Sequence, residues 1–314
     1  RFETAYTIPT VTTAGVSNIT SSTATSGGNV LLQGGENVTA KGVCWNTTGN
    51  PSVADQHTTD GTGLGSFTST ITGLTPNTVY YVRAYATNRE GTAYGNETSF
   101  RTKFPNCGTV TDIDGNVYNT VIIGDRCWMQ ENLKTTRFND GTEIRLVNDY
   151  ISDWDRPYLE FPENTAYCWY NFDPNFKDIY GALYNIKTTG SGILCPVGWH
   201  VSHLDDWHNI LILFDPNADA EYLQPSSIAG GALKAVGTLE EGTGLWHHPN
   251  AGATNETGFT ALPGGRYWGA PVGLGEYGAW WTTADETRSL GYQSQGVGAN
   301  DTDTGGHSVR CVKD

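Results

Sequence analysis

From Thr10 to about Lys103 the chain advances in short apolar runs separated by Gly, Ser and Asn turns, and this rhythm limits its fold more than any other feature. The runs include Asn29-Val30-Leu31-Leu32, Lys41-Gly42-Val43-Cys44-Trp45, Gly65 to Ile71 and Val79 to Ala86. Strands at this spacing predict a β-sandwich of roughly 100 residues. The composition agrees: 39 glycines, a single methionine and only 16% charged residues suit a turn-rich, β-dominated extracellular protein.

The charge balance narrows the partners. With 33 acidic against 18 basic residues the net charge is -15, which argues against nucleic acid or an anionic membrane, since phosphate binding needs clustered Lys and Arg. No run of about 18 apolar residues is present, so no membrane span is expected. A start at Arg1, without a basic-then-apolar signal segment, fits a processed mature chain. The six cysteines show no CxxC or other zinc spacing and fit an oxidising compartment.

Three segments follow. Residues 1–9 alternate in apolar character and read as an extended arm, suited either to a frayed leader strand or to donation to the sheet edge of a neighbouring copy. Residues 10–103 form the sandwich. Phe104-Pro105-Asn106 reads as a linker, because Pro biases its predecessor away from helix, and it opens the second domain, 104–314. That domain begins with two alternating runs around Asp114-Gly115, a hairpin signal.

Two family resemblances attach to these segments. Leu74-Thr75-Pro76-Asn77-Thr78-Val79-Tyr80, followed by Val82-Arg83-Ala84-Tyr85-Ala86, resembles the tyrosine-corner stretch of a fibronectin type III domain. The resemblance implies that Tyr80 locks a corner by a hydrogen bond, that Trp45 fills the core, and that this domain is a spacer or docking module. In the second half, Asp112-Ile113-Asp114-Gly115-Asn116 and Cys127-Trp128-Met129 with Glu131-Asn132-Leu133-Lys134-Thr135 begin a longer pattern. It continues through Ala166-Tyr167-Cys168-Trp169-Tyr170-Asn171, Leu194-Cys195-Pro196, Gly198-Trp199-His200-Val201, Leu262-Pro263-Gly264-Gly265, Trp280-Trp281-Thr282-Thr283 and Ser308 to Asp314. This half resembles the Fibrobacter succinogenes major paralogous domain. The resemblance implies a secreted or cell-surface protein and an α+β fold similar to C-type-lectin-like domains. The expected fold class is therefore mainly β with a minor α part.

The lectin-like resemblance also implies a disulfide between Cys195 and Cys311, from the middle of the domain to its last strand. Cys107 and Cys127 flank the opening hairpin, where antiparallel strands would set them side by side. Cys44 and Cys168 lie in apolar, strand-like contexts that suit buried free thiols. The family commonly has Pro-Thr after Trp-His-Val; here Ser202-His203 stand there. Leu204, Trp207, Ile210, Leu211 and Phe214 keep helical spacing, and Ser202 is the expected N-cap.

Candidate chemistry is sparse. His200, His203 and His208 have histidine spacings that do not converge on a single helix face, so they are not expected to be metal ligands. Asp112-x-Asp114-Gly115-Asn116 starts like a calcium loop, but Ile123 stands where an EF-hand needs Glu, and a hairpin turn is the better reading. Asp301 and Asp303 are weaker ligand candidates, and Ca2+ is the one cofactor the surplus of carboxylates admits. The Glu-Pro-Asn and Trp-Asn-Asp sugar motifs are absent. Asp205-Asp206 and Glu240-Glu241 are adjacent pairs that need not face each other as a hydrolase requires. Trp246, Tyr267 and Trp268, in Gly-rich stretches, are candidate glycan-stacking residues, whereas Trp280 and Trp281 read as core. Asn18, Asn37, Asn46, Asn96, Asn255 and Asn300 head Asn-x-Thr sequons and are the expected acceptors if the chain is a glycoprotein, a count only slightly above the roughly four that chance gives for this composition.

With no catalytic constellation, the sequence points to a non-catalytic surface structural protein, a subunit of an extracellular filament or other homo-oligomer joined through the N-terminal arm. A glycan-binding adhesin is the alternative, and a carbohydrate-active enzyme the second.

Overall fold

The computed structural model describes residues 6–149, 154, 160–219, 224–283, 285–301 and 305–314. It separates into two compact units, Arg1–Pro105 and Asn106–Asp314.

The first unit holds β1 (Thr10–Thr13), β2 (Ala24–Leu32), β3 (Ala40–Asn46), β4 (Gln56–His57), β5 (Gly65–Ile71), β6 (Val79–Asn88), β7 (Gly91–Tyr94) and β8 (Thr98–Arg101). One sheet has the order β1-β2-β5; the other has β4-β3-β6-β7, with β8 also paired to β6. Alternation along β6 turns Tyr80, Val82 and Ala84 inward, where Val43, Trp45, Ile71 and Phe100 meet them in one core. The Tyr80 hydroxyl accepts the Thr75 backbone N–H at 3.0 Å, closing the tyrosine corner. Ahead of β1 the chain lies against its own sandwich. Thr7 N–H donates to the Gly34 carbonyl at 2.8 Å, and Asn88 Nδ2 donates to the Thr7 carbonyl at 2.7 Å.

The second unit contains β9 (Thr109–Thr111), β10 (Val117–Ile123), β11 (Arg126–Met129), β12 (Arg145–Leu146), β13 (Ala166–Cys168), β14 (Leu183–Tyr184) and β15 (Trp199–Val201). Six more strands complete it: β16 (Gly264–Tyr267), β17 (Pro271–Leu274), β18 (Tyr277–Trp281), β19 (Glu286–Gly291), β20 (Gly298–Asp301) and β21 (Cys311–Lys313). Its helices are short: α1 (Lys177–Tyr180), α2 (Ile186–Thr189), α3 (Leu204–Leu211) and α4 (Gly230–Leu233). Two five-stranded sheets, β15-β21-β11-β10-β9 and β17-β16-β18-β19-β20, accompany a small sheet β12-β13-β14. The chain is thus mainly β with a minor α part.

Aromatic packing fills the second unit. Trp128, Trp207, Phe259 and Trp280 meet at centroid separations of 5.4 to 6.1 Å, all fully buried. Buried beside them, Arg310 donates to Asn132 Oδ1 at 2.7 Å and to the carbonyls of Met129, Phe259 and Thr260. Asn132 Oδ1 also accepts Trp280 Nε1, so one amide joins the residue just before the last strand to the tryptophan core. Gly181, at φ +74°, would place a Cβ 2.7 Å from the Asn132 Cβ, so this approach requires glycine.

The helix start differs from expectation. His203, not Ser202, is the N-cap of α3, and the Asp206 carboxylate accepts its backbone N–H at 2.8 Å. Ser202 is drawn inward instead. Its hydroxyl accepts Trp207 Nε1 at 3.0 Å and donates to the Trp281 carbonyl, which outweighs a surface cap. The helix proper ends at Leu211, three residues before Phe214.

Candidate functional site

The stretch Cys195 to Asp206 is where elements converge. Cys195 bonds to Cys311, with Cα atoms 6.0 Å apart, and the second disulfide joins Cys107 to Cys127. Beyond Cys195, β15 pairs with β21 through Trp199↔Lys313, His200↔Val312 and Val201↔Cys311, and α3 follows directly. Strand, turn and helix therefore fold back on each other within a few residues. Cys44 and Cys168 are buried free thiols. Burial raises the Cys44 pKa to about 11 and that of Cys168 well above its ordinary value, so neither is an activated nucleophile.

That fold-back assembles a polar cluster. His200 Nε2 lies 3.1 Å from Asp206 Oδ2, and His200 Nδ1 lies 2.7 Å from Asp314 Oδ1. The His203 ring stacks on His200 at 4.4 Å, with Nδ1 3.9 Å from Asp206 Oδ2. The hydrogen bond to Asp206, opposed by burial and reinforced by Asp314, raises the His200 pKa above the ordinary imidazole value. Burial pushes the Asp206 carboxyl upward, but His200 and the His203 N–H outweigh it and hold the pKa below the carboxylate norm. The donor atoms of His200, His203 and Asp206 lie within 4.8 Å of one another. Sequence reasoning missed this set because it tested histidines against a single helix; these three sit on a strand, an N-cap and the first helical turn. The signal available was the i,i+3 pair His203 and Asp206, three residues beyond His200, at the start of the helix.

The structure corrects two of the three glycan-stacking candidates. Trp246 is fully buried, its Nε1 donating to the Ala261 carbonyl at 3.0 Å and its ring under the Lys234 ammonium at 5.4 Å. Tyr267 is 1% exposed and packs on Trp154 at 4.6 Å. Both rings satisfy their apolar faces inside, so neither can stack on a sugar. Trp268 is different: it is 58% exposed and carries the Arg266 guanidinium over its ring at 4.4 Å. That guanidinium also lies over Tyr277 at 5.3 Å, bracing a platform of three planar groups.

The carboxylate candidates are mostly committed. Asp112 accepts the backbone N–H groups of Asp114 and Asn116, the Asn116 side chain and the Tyr118 hydroxyl. Asp114 accepts Arg137 Nε, the Thr136 N–H and two threonine hydroxyls. Protein donors thus occupy the oxygens a calcium ion would need, and the segment is a turn joining β9 to β10. Asp205 is exposed while Asp206 is buried, as expected of neighbours projecting about 100° apart on a helix. Glu240 clasps His247 Nδ1 at 2.7 Å and the His248 N–H at 2.9 Å. Asp303 and the Asp301 side chain lie outside the described residues.

Among the sequons, Asn18, Asn37, Asn96 and Asn300 are exposed. Asn46 and Asn255 are not freely presented. The Asn46 carbonyl oxygen accepts from Thr48 and Gly49, and Asn255 clasps Thr260, with the sequon hydroxyl of Thr257 buried against Ala232.

Fold and disulfides together define a two-unit, mainly β protein whose second unit is closed by two cross-links, with no helix among the described residues long and apolar enough to cross a membrane. Residues 121–313 match the Fibrobacter succinogenes major domain, and the chain belongs to this family. No curated protein matches it. Solved structures similar to the chain include the sensor domain of the anti-sigma factor RsgI4 of Pseudobacteroides cellulosolvens, at 16% identity and TM-score 0.24, covering 31% of this chain and 97% of that one. The FN1-FN3 domains of chicken CNTN1 are 18% identical at TM-score 0.24, covering 31% of each chain. An FN3 domain of human collagen XX is 17% identical at TM-score 0.23, covering 32% of this chain and 99% of that one. The first unit is fibronectin type III-like on its own strand order and its Tyr80 corner.

Proposed function

We propose that the chain is a non-catalytic, extracellular structural subunit that assembles with copies of itself through its N-terminal arm and the apolar surface beside it. The observation that carries this reading is the exposure of apolar side chains along the arm and at the end of β2 beside it. Tyr6, Ile8, Leu31 and Leu32 are 57%, 48%, 49% and 63% exposed, where Leu32 pairs with Thr10 at the start of β1. Four large apolar side chains in water at one strand end suit a covered surface better than a free one. Two disulfides support an extracellular setting, and the family supports a surface role. The double variant Leu31→Ser/Leu32→Ser should shift the full chain toward monomer in sedimentation velocity without altering its circular dichroism. An unchanged distribution of oligomers would remove these side chains from the account.

The second reading is glycan binding, favoured by the exposed Trp268 platform. On a glycan array Trp268→Ala should abolish a signal that the unsubstituted chain gives; absence of any signal from the unsubstituted chain discards it.

A further inference from the structure

The polar cluster at the start of α3 has a geometry that an ion pair alone does not need. Asp206 Oδ2 already accepts the His203 N–H at 2.8 Å and meets His200 Nε2 at 3.1 Å. A second imidazole, His203, is stacked over the first with its Nδ1 at 3.9 Å from the same oxygen, beyond hydrogen-bond distance. We propose that His200, His203 and Asp206 bind one divalent transition-metal ion of the zinc type.

Four features support the assignment. Zinc holds nitrogen and oxygen ligands at about 2.0–2.2 Å, which in a tetrahedron sets neighbouring donors roughly 3.3–3.5 Å apart. The two distances from Asp206 Oδ2, 3.1 and 3.9 Å, bracket that value, and the three donors lie within 4.8 Å of one another; the rings are stacked at 21°, so binding requires the half-exposed His203 ring to swing out of the stack and turn its nitrogen toward the ion. Asp314 Oδ1, 2.7 Å from His200 Nδ1, fixes that ring with Nε2 toward Asp206, the carboxylate–histidine–metal arrangement. Asp206 Oδ2 is the oxygen nearest both imidazoles, and an ion there would replace its contact with His200 while the His203 N–H stays; Arg126 Nε stands 3.5 Å from Oδ1. Two imidazoles and one oxygen suit Zn2+, Ni2+ or Cu2+ and not Ca2+, which takes six to eight oxygens. Three protein donors leave a fourth position for water or for a group from another molecule.

The test titrates Zn2+ into the full chain after chelator treatment, by calorimetry at pH 7.5, and repeats it with Co2+ followed by visible absorption. One saturable site is expected. His203→Ala should weaken binding at least tenfold and abolish the Co2+ absorption of a tetrahedral site. Asp314→Asn, which spares all three ligands, should weaken binding by about tenfold. His208→Ala, on the same helix but outside the cluster, and His247→Ala should bind as the unsubstituted chain does. No saturable uptake, or a His203→Ala chain that binds with unchanged affinity, would overturn the assignment. So would loss of binding in His247→Ala alone.

Discussion

At the scale of single residues the second unit keeps two cations, Arg310 and Lys234, inside on carbonyl and amide oxygens. Arg310 is fully buried and solvated by one amide oxygen and three backbone carbonyls. Lysine cannot reproduce that planar fork. Arg310→Lys should therefore cost on the order of 3 kcal/mol in urea unfolding, with buried carbonyls left unpaired. Lys234 is also fully buried, donating to the carbonyls of Gly291 and Ser294, and burial lowers its pKa to about 8. Between pH 8 and the ordinary 10.5 the unfolded chain keeps a proton that the native state has lost, so this lysine makes stability rise with pH there. Below that window both states are protonated and its contribution is flat. From pH 7.5 to 9.5 the unsubstituted chain should gain about 2 kcal/mol relative to Lys234→Met; parallel pH profiles would contradict the lowered pKa. The tryptophans separate by burial in the same way. Trp246→Ala should cost about 3–5 kcal/mol, and Trp268→Ala should leave the unfolding midpoint unchanged.

Among elements, legibility in sequence depended on how local the determining interaction is. Short apolar, β-rich runs between turn residues marked β2, β3, β5 and β6, because strand propensity and turn chemistry are both local. The tyrosine corner was legible for the same reason: Tyr80 and Thr75 are five residues apart. Tyr80→Phe should lower the unfolding free energy of the first unit by about 1 kcal/mol and leave the second unit's transition in place, read by calorimetry. The cap of α3 was not legible, because Ser202 is claimed by Trp207 and by Trp281, the latter 79 residues away. Trp246 was misread for a related reason. Its glycine-rich surroundings resemble a surface loop, but the Ala261 carbonyl and Lys234 that bury it come from elsewhere in the chain. The His200, His203 and Asp206 cluster required the return of strand into helix, which histidine spacing alone does not reveal.

Over the whole molecule, one covalent loop closes much of the second unit. Cys195 and Cys311 are 116 residues apart, and the chain-entropy model gives such a cross-link about 4–5 kcal/mol. Its sheet holds the last strand between β15 and β11, so the bond staples a central strand. Replacing both cysteines with alanine should lower the second unit's melting temperature while the first unit's transition stays put. The first unit offers the other half of the account, an arm whose residues Tyr6 to Pro9 lead into β1 beside exposed Leu31 and Leu32. Electron microscopy of the full chain beside a chain lacking residues 1–9 tests self-assembly most directly. Polymers or defined oligomers should form with the arm and vanish without it; identical particles in both samples, whether monomeric or assembled, would contradict the proposal.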